Sequence, residues 1–179
     1  MLEIVVAILA VLALVIVGIL LLASRRPDSF HTQRSLTIAA PAERLYGEIA
    51  ELKAMNTWNP FALRDPASKI SYEGPASGVG ARHRFDGGKS GTGYVEVTKV
   101  EPPKAVTMRL VMVKPFKADN TVEFTLVPAG ADQTTVTWAM SGKQPLLAKC
   151  MAMFIDCDKM VGREFETGLA GLKAKVEGR

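Results

Sequence analysis

The sequence predicts an α+β protein: a curved, seven-stranded antiparallel sheet wrapped around one long C-terminal helix, preceded by one N-terminal transmembrane helix. Three observations predict it. From Pro145 to Val176, residues Leu147, Met151, Phe154, Val161, Phe165, Leu169, Leu172 and Val176 recur at intervals of three, four or seven, which puts them on one face of an α-helix. Between Phe30 and Ser141 the chain breaks into short runs of alternating apolar and polar residues punctuated by Gly and Pro, the pattern of antiparallel strands with one wet face. Ile4 to Ala23 is apolar throughout. An unbroken helix from Pro145 to Val176 would run about 48 Å at 1.5 Å per residue, and the sheet is the surface broad enough to cover it.

The 20 residues Ile4 to Ala23 match the length of about 20 that crosses a hydrocarbon core of about 30 Å. Met1-Leu2-Glu3 lacks the basic start of a signal peptide, and Leu22-Ala23-Ser24-Arg25 is a poor cleavage site. The segment therefore reads as an uncleaved anchor, with a cleaved signal peptide as its rival. Arg25 and Arg26 follow the span while Glu3 lies on the other flank, so the positive-inside rule places the remaining chain in the cytoplasm, as a single-pass protein of the inner membrane. Ser24 to Ser29 is then a six-residue linker of reach about 21 Å, and residues 30–179 form the folded domain.

Phe30 to Ala40 is the first strand, Leu36 and Ile38 alternating against Ser35 and Thr37. Pro41 opens a helical region in which Leu45, Ile49 and Leu52 or Lys53 follow at helical spacing; Pro60 ends it by forcing Asn59 out of the α region. Lys69–Glu73, Ala81–Asp86 and Thr92–Glu101 follow as strands. The second of these sets Ala81, His83 and Phe85 against Arg82, Arg84 and Asp86. Val97 and Val100 stand three apart, so the third carries a bulge if both face the core. Ala105–Val113, Thr121–Pro128 and Thr134–Ser141 complete an antiparallel meander, with turns at Ala118-Asp119-Asn120 and Ala129–Asp132.

At 179 residues and 48% hydrophobic, the chain suits one well-buried domain plus an appendage. Its formal charge of +4 is mild, and no basic stripe with interleaved aromatics appears, which excludes a nucleic-acid partner and leaves an anionic membrane surface. Cys150 and Cys157 would lie about 10 Å apart along one helix, too far for a disulfide. With no CxxC and two histidines there is no zinc set. Phosphate loop, dinucleotide fingerprint, nucleophile elbow and HExxH are all missing, so neither metal nor cofactor is expected.

Arg34–Pro41, Trp58-Asn59-Pro60-Phe61, Gly78-Val79-Gly80, Val97–Pro103 and Phe165–Lys173, in that order, resemble the START-like (SRPBCC) helix-grip superfamily. More narrowly, they resemble its polyketide cyclase/dehydrase and lipid-transport branch, over about Phe30 to Val176. The resemblance implies a deep pocket between sheet and helix for an apolar or amphipathic small molecule. It also implies a family of lipid carriers, hormone or polyketide binders, cyclases and co-chaperone-like modules, among which the fold does not choose.

The ligand-binding candidates are Trp58, Phe61, Tyr72, His83, Phe85, Met108, Leu110, Met112, Trp138, Met140, Phe154 and Cys157. Core packing is the competing role for each apolar member, since pockets and cores use the same residue types; the methionines would suit an adaptable wall. His83 is the one inward group able to act as a base near neutral pH, with Tyr72 on the neighbouring strand as hydroxyl donor, yet no further motif fixes a partner, and a lone inward histidine is more often a hydrogen-bonded wall residue. Leu146 to Ile155 is apolar almost all round, Lys149 its one charge. It is core at the head of the final helix or, with one side exposed, a gate dipping into the bilayer surface. The expected function is membrane-anchored binding, transfer or sensing of a lipid or other hydrophobic small molecule. The alternatives are a cyclase, hydratase or hydrolase using His83 and a regulatory protein-interaction module.

Overall fold

The computed structural model describes residues 1–178. In chain order the elements are α1 (Leu2–Ser24), β1 (Ser29–Ile38), α2 (Ala42–Ala50), α3 (Leu52–Met55), α4 (Pro60–Leu63), β2 (Lys69–Glu73), β3 (Arg82–Gly87), β4 (Gly91–Glu101), β5 (Ala105–Lys114), β6 (Ala118–Gly130), β7 (Gln133–Lys143), α5 (Leu146–Met151) and α6 (Cys157–Glu177). The chain forms two compact units: Met1–Phe30 with Lys143–Cys157, and His31–Gly142 with the chain from Asp158 on.

In the first unit, α1 has 23 residues and a mean hydropathy of 3.5, enough to cross a membrane; the same length and composition suit an anchor and a signal sequence. Its C-terminal end is tied to the 143–157 segment. The Arg26 guanidinium donates to the Ala152 carbonyl at 2.8 Å, the Gln144 N–H to the Asp28 carbonyl at 2.7 Å, and the Lys149 ammonium lies 2.5 Å from an Asp28 carboxylate oxygen. Lys149 is buried, and a buried ammonium needs such a partner; Lys149 in turn holds the Asp28 carboxyl below its usual range.

The single helix expected from Pro145 to Val176 is corrected here to two helices. After Met151 the backbone tightens, Met153 N–H reaching Cys150 and Phe154 N–H reaching Met151, and α6 begins only at Cys157. Such three-residue bonds end a helix, and Asp156 is of the residue type favoured just ahead of a new one. The periodic spacing across the join is thus two separate faces. The core role expected for Leu146 to Ile155 also differs: Leu147 and Phe154 are 63% and 76% exposed, and Leu146, Met151 and Ile155 are exposed too.

The second unit holds the seven-stranded antiparallel sheet, in the order β1-β7-β6-β5-β4-β3-β2. The chain leaves β1 at one edge, crosses through α2 to α4, enters β2 at the other edge and meanders back. Two-residue alternation sorts the faces. On the outer face Arg82 and Arg84 pair with Glu73, Arg82 also with Glu96 at 2.8 Å, and both guanidinium groups lie over the Tyr94 ring. The bulge expected in β4 occurs, as a register shift between Val97 and Lys99. The turn expected at Ala118-Asp119-Asn120 does not: β6 starts at Ala118, so these residues are strand and the connection lies at Pro115–Lys117.

Helix α6 runs 21 residues with Phe165, Leu169, Leu172 and Val176 buried, one stripe of period 3.6. Its close approach to the aromatic core depends on Gly168, where any Cβ would collide with Trp138 and Pro60. The Trp138 ring stacks on Phe165 at 4.4 Å and 10°, meets Phe124 at 4.9 Å and stands edge-on to Trp58 at 5.9 Å. Arg34, on the inner face of β1, reaches Asp158 at 3.1 Å and Glu166 at 2.9 Å on α6, and with Thr32 holds the Asp158 carboxyl below its usual range.

Candidate functional site

The inner face of the sheet is closed at one end and open at the other. At the closed end Ile38, Val97, Val106, Met108, Phe124 and Val136 are fully buried. Along β5 the burial then relaxes, from Val106 and Met108 to half-buried Leu110 and Met112, although all four point inward. The neighbouring strands open in step: Phe85 and Met140 are half-buried, Ile70 and Tyr72 exposed. Phe61, 38% exposed, leans edge-on against Trp138 at 6.3 Å.

Register explains this grouping, because directly paired residues of antiparallel strands point to the same face. One cross-strand row runs Ile70, Phe85, Gly93, Met112; the next runs Tyr72, His83, Val95, Leu110, Asn120. In the first row a Cβ on Gly93 would collide with the Phe85 ring, so the missing side chain is what lets that ring lie across the strand. A groove of about 330 Å³ lies beside this row but mostly on the outer face, lined by Lys69, Arg84, Asp86, Tyr94 and Val113, with Ile70, Phe85 and Gly93 of the row at its floor. Its size lies at the low end of small-molecule sites. A second groove, of about 390 Å³, is likewise lined largely by outer-face residues, including Lys99, Glu101 and Glu123, with Lys99 ion-paired to Glu101.

His83 sits between Tyr72, at 6.2 Å ring to ring, and Phe85, at 5.8 Å. It is 5% exposed, and burial pushes its pKa down to about 4, so the imidazole is neutral at pH 7. Its Nδ1 is buried without a hydrogen-bond partner. The hydroxyl of Tyr72 instead accepts from the Asn56 amide at 3.1 Å, and Lys53 lies over the Tyr72 ring at 5.4 Å. Further along the inner face, Asn120 Oδ1 and Trp138 Nε1 are also buried and unpartnered.

The loops at the open end are pinned by Asp65, which accepts the backbone N–H groups of Lys89 and Ser90 at 3.0 Å each; Ser90 Oγ adds a bond to the Phe61 carbonyl at 3.2 Å. The Ser90 and Lys89 amides hold the Asp65 carboxyl below its usual range, against the opposing effect of desolvation.

Of the sequence candidates, Phe61, Tyr72, His83, Phe85, Leu110, Met112 and Met140 thus fall at the open end. Trp58, Met108 and Trp138 lie in the closed core, and Phe154 and Cys157 are exposed residues of the first unit. Sequence reasoning missed Ile70, Asp65 and Asn120. The alternation of Val122, Phe124 and Leu126, carried back one more step, would have placed Asn120 on the inner face. Asp65 gave no comparable signal, because its contact is with backbone 24 residues away.

Seven antiparallel strands gripping a C-terminal helix, with an apolar inner face open at one end, define a helix-grip protein with a fold consistent with hydrophobic-ligand binding. Residues 29–177 match the family described as "Polyketide cyclase / dehydrase and lipid transport", and the chain belongs to that family. Comparison with curated proteins gives no match. Among solved structures the chain is similar to protein MLL2253 from Mesorhizobium loti, at TM-score 0.61 and 18% identity over 83% of this chain and 97% of that one. It is similar to CalU16 from Micromonospora echinospora, at TM-score 0.52 and 17% identity over 84% of each chain. It is also similar to the major latex-like protein 151 of Panax ginseng, at TM-score 0.59 and 11% identity over 83% and 98%. At these identities the likeness is one of fold.

Proposed function

We propose that the chain is a membrane-anchored binding protein for a lipid or other hydrophobic small molecule. Its α1 spans the inner membrane, its family domain faces the cytoplasm, and its ligand enters the open end of the inner face. The observation that carries this reading is the half-buried apolar group of Phe85, Leu110, Met112 and Met140, inward-facing side chains of the sheet that the core covers only in part. A group of this kind is completed by a ligand. The low pKa of His83 supports recognition over general-base chemistry, which is served best by a base titrating near the working pH.

The test is native mass spectrometry of the full-length protein purified gently from membranes, with extraction of what it holds. The expected result is a stoichiometric, homogeneous hydrophobic compound. Empty protein that takes up no component of a lipid extract would overturn the reading.

The membrane half has its own support. The ties from Asp28 and Arg26 to Lys149 and Ala152 keep the exposed Leu147 and Phe154 in the same unit as α1. Apolar side chains beside a span belong in the boundary between headgroups and acyl chains. Two outcomes follow. The intact mass of the membrane-bound chain retains residues 1–24; a shortened chain would make α1 a signal sequence. A Phe154→Trp variant in vesicles is quenched by bromine-labelled acyl chains above the wild-type background, whereas quenching equal to wild type would place residue 154 in water.

A further inference from the structure

The row of inner-face residues through the open end has a chemical pattern of its own. His83 and Asn120 are each more than nine-tenths buried, and each has a side-chain polar atom, Nδ1 and Oδ1, with no partner. Between them in the same row stand Val95 and Leu110, both apolar. Three strand spacings separate the two polar residues, about 14 Å along the backbone and less between side chains that converge on a concave face. Neither group is charged at pH 7. A buried polar atom left without a hydrogen bond is costly, so a group that fits this row supplies partners at both ends.

We infer that the site selects an uncharged ligand with an apolar middle and a hydroxyl group toward each end, one bonding His83 Nδ1 and the other bonding the Asn120 side-chain amide. This rests on the binding reading above and deepens it by naming the ligand class. Hydroxyl is the group that suits both ends. It donates to Asn120 Oδ1, and to His83 Nδ1 it either donates or accepts according to the tautomer. A carboxylate has no proton to give Asn120 Oδ1 and would be desolvated beside a neutral imidazole.

The probes are 1,10-decanediol, 1-decanol, decanoate and decane, titrated against the full chain in phosphatidylcholine nanodiscs. Binding is followed by the fluorescence of Trp58 and Trp138, which stand 5.9 Å apart in the adjoining core. The diol is expected to bind about tenfold more tightly than the mono-alcohol, and decanoate more weakly than either, since one well-placed buried hydrogen bond is worth about a factor of ten. Asn120→Leu removes the advantage of the diol and leaves 1-decanol within about twofold, because the remaining hydroxyl uses His83. In His83→Leu/Asn120→Leu, 1-decanol and decane bind alike. Both substitutions remove a buried polar atom that lacks a partner, Asn120→Leu at the cost of the Nδ2 contact with Met140 Sδ at 3.9 Å, and the wild-type series decides the matter without them. Decanoate matching the diol, or a hydroxyl preference surviving in the double variant, overturns the inference while the binding reading stands. If none of the four probes binds, this inference falls, and the native mass measurement alone decides the binding reading.

Discussion

Phe165→Ala is expected to destabilise the protein by about 3–5 kcal/mol, a large share of the roughly 5–15 kcal/mol that holds a typical domain together. Phe165 is 1% exposed, on the buried stripe of α6, and it stacks flat on Trp138. Truncation removes the burial of a large aromatic, leaves a cavity between helix and sheet, and forfeits a ring pair worth about 0.5–1.5 kcal/mol beyond its buried area. The cavity does not close easily, because Gly168 already brings the helix into contact with Trp138 and Pro60, and rings do not flex to fill a gap. Phe165→Leu keeps most of the apolar volume and costs less. Chemical denaturation in mild detergent reads the effect, and the fluorescence of Trp58 and Trp138 reports this same cluster. A loss below about 1 kcal/mol for Phe165→Ala would mean that α6 does not close the core.

The fold was legible because its signals are local and repeated. Alternation in Val106, Met108, Leu110 and Met112, and again in Val122, Phe124 and Leu126, can hardly be read as anything but strands with one covered face. The break between α5 and α6 was not legible, for a physical reason. Leu147, Met151 and Phe154 happen to keep helical spacing with Val161 and Phe165, and spacing alone cannot register that the chain turns at Ala152 to Asp156. The burial of Lys149 was hidden likewise, since it depends on Asp28, 121 residues earlier.

The candidate site was legible as a face and not as a place. Alternation put His83, Phe85 and Met112 inward, but which inward residues are covered depends on where α6 and the loops lie. Tyr72 and Trp138 show the two outcomes of one expectation: the first is 41% exposed at the open end, the second is locked under Phe165. Asn120 was misread because Asn after Asp is strong turn chemistry, and that local preference lost to pairing with Leu110 and Gly142 on either side.

His83 also gives the protein an acid-sensitive stability with a sign that can be worked out. Its pKa falls from 6.5 to about 4 because burial disfavours the imidazolium. Above pH 6.5 the group is neutral in both states and contributes no slope. Between pH 6.5 and about 4 the unfolded chain takes up a proton that the folded chain refuses, so stability falls with falling pH by up to about 1.4 kcal/mol per unit, roughly 2–4 kcal/mol across the window. Carboxylates held low in the folded state, such as Asp65 and Asp158, lose their contribution only as pH falls through their ordinary value near 3.8 and below, and leave most of the window to histidine. Denaturation of the wild type and of His83→Leu at pH 7.0, 6.0 and 5.0 therefore separates the two effects. The wild type loses stability over this range, and the variant lacks the part of that loss which His83 supplies. Parallel slopes in the two proteins would mean that His83 is protonated in the folded state, which in turn requires a buried acceptor or water at Nδ1 and returns the question to what occupies the open end of the sheet.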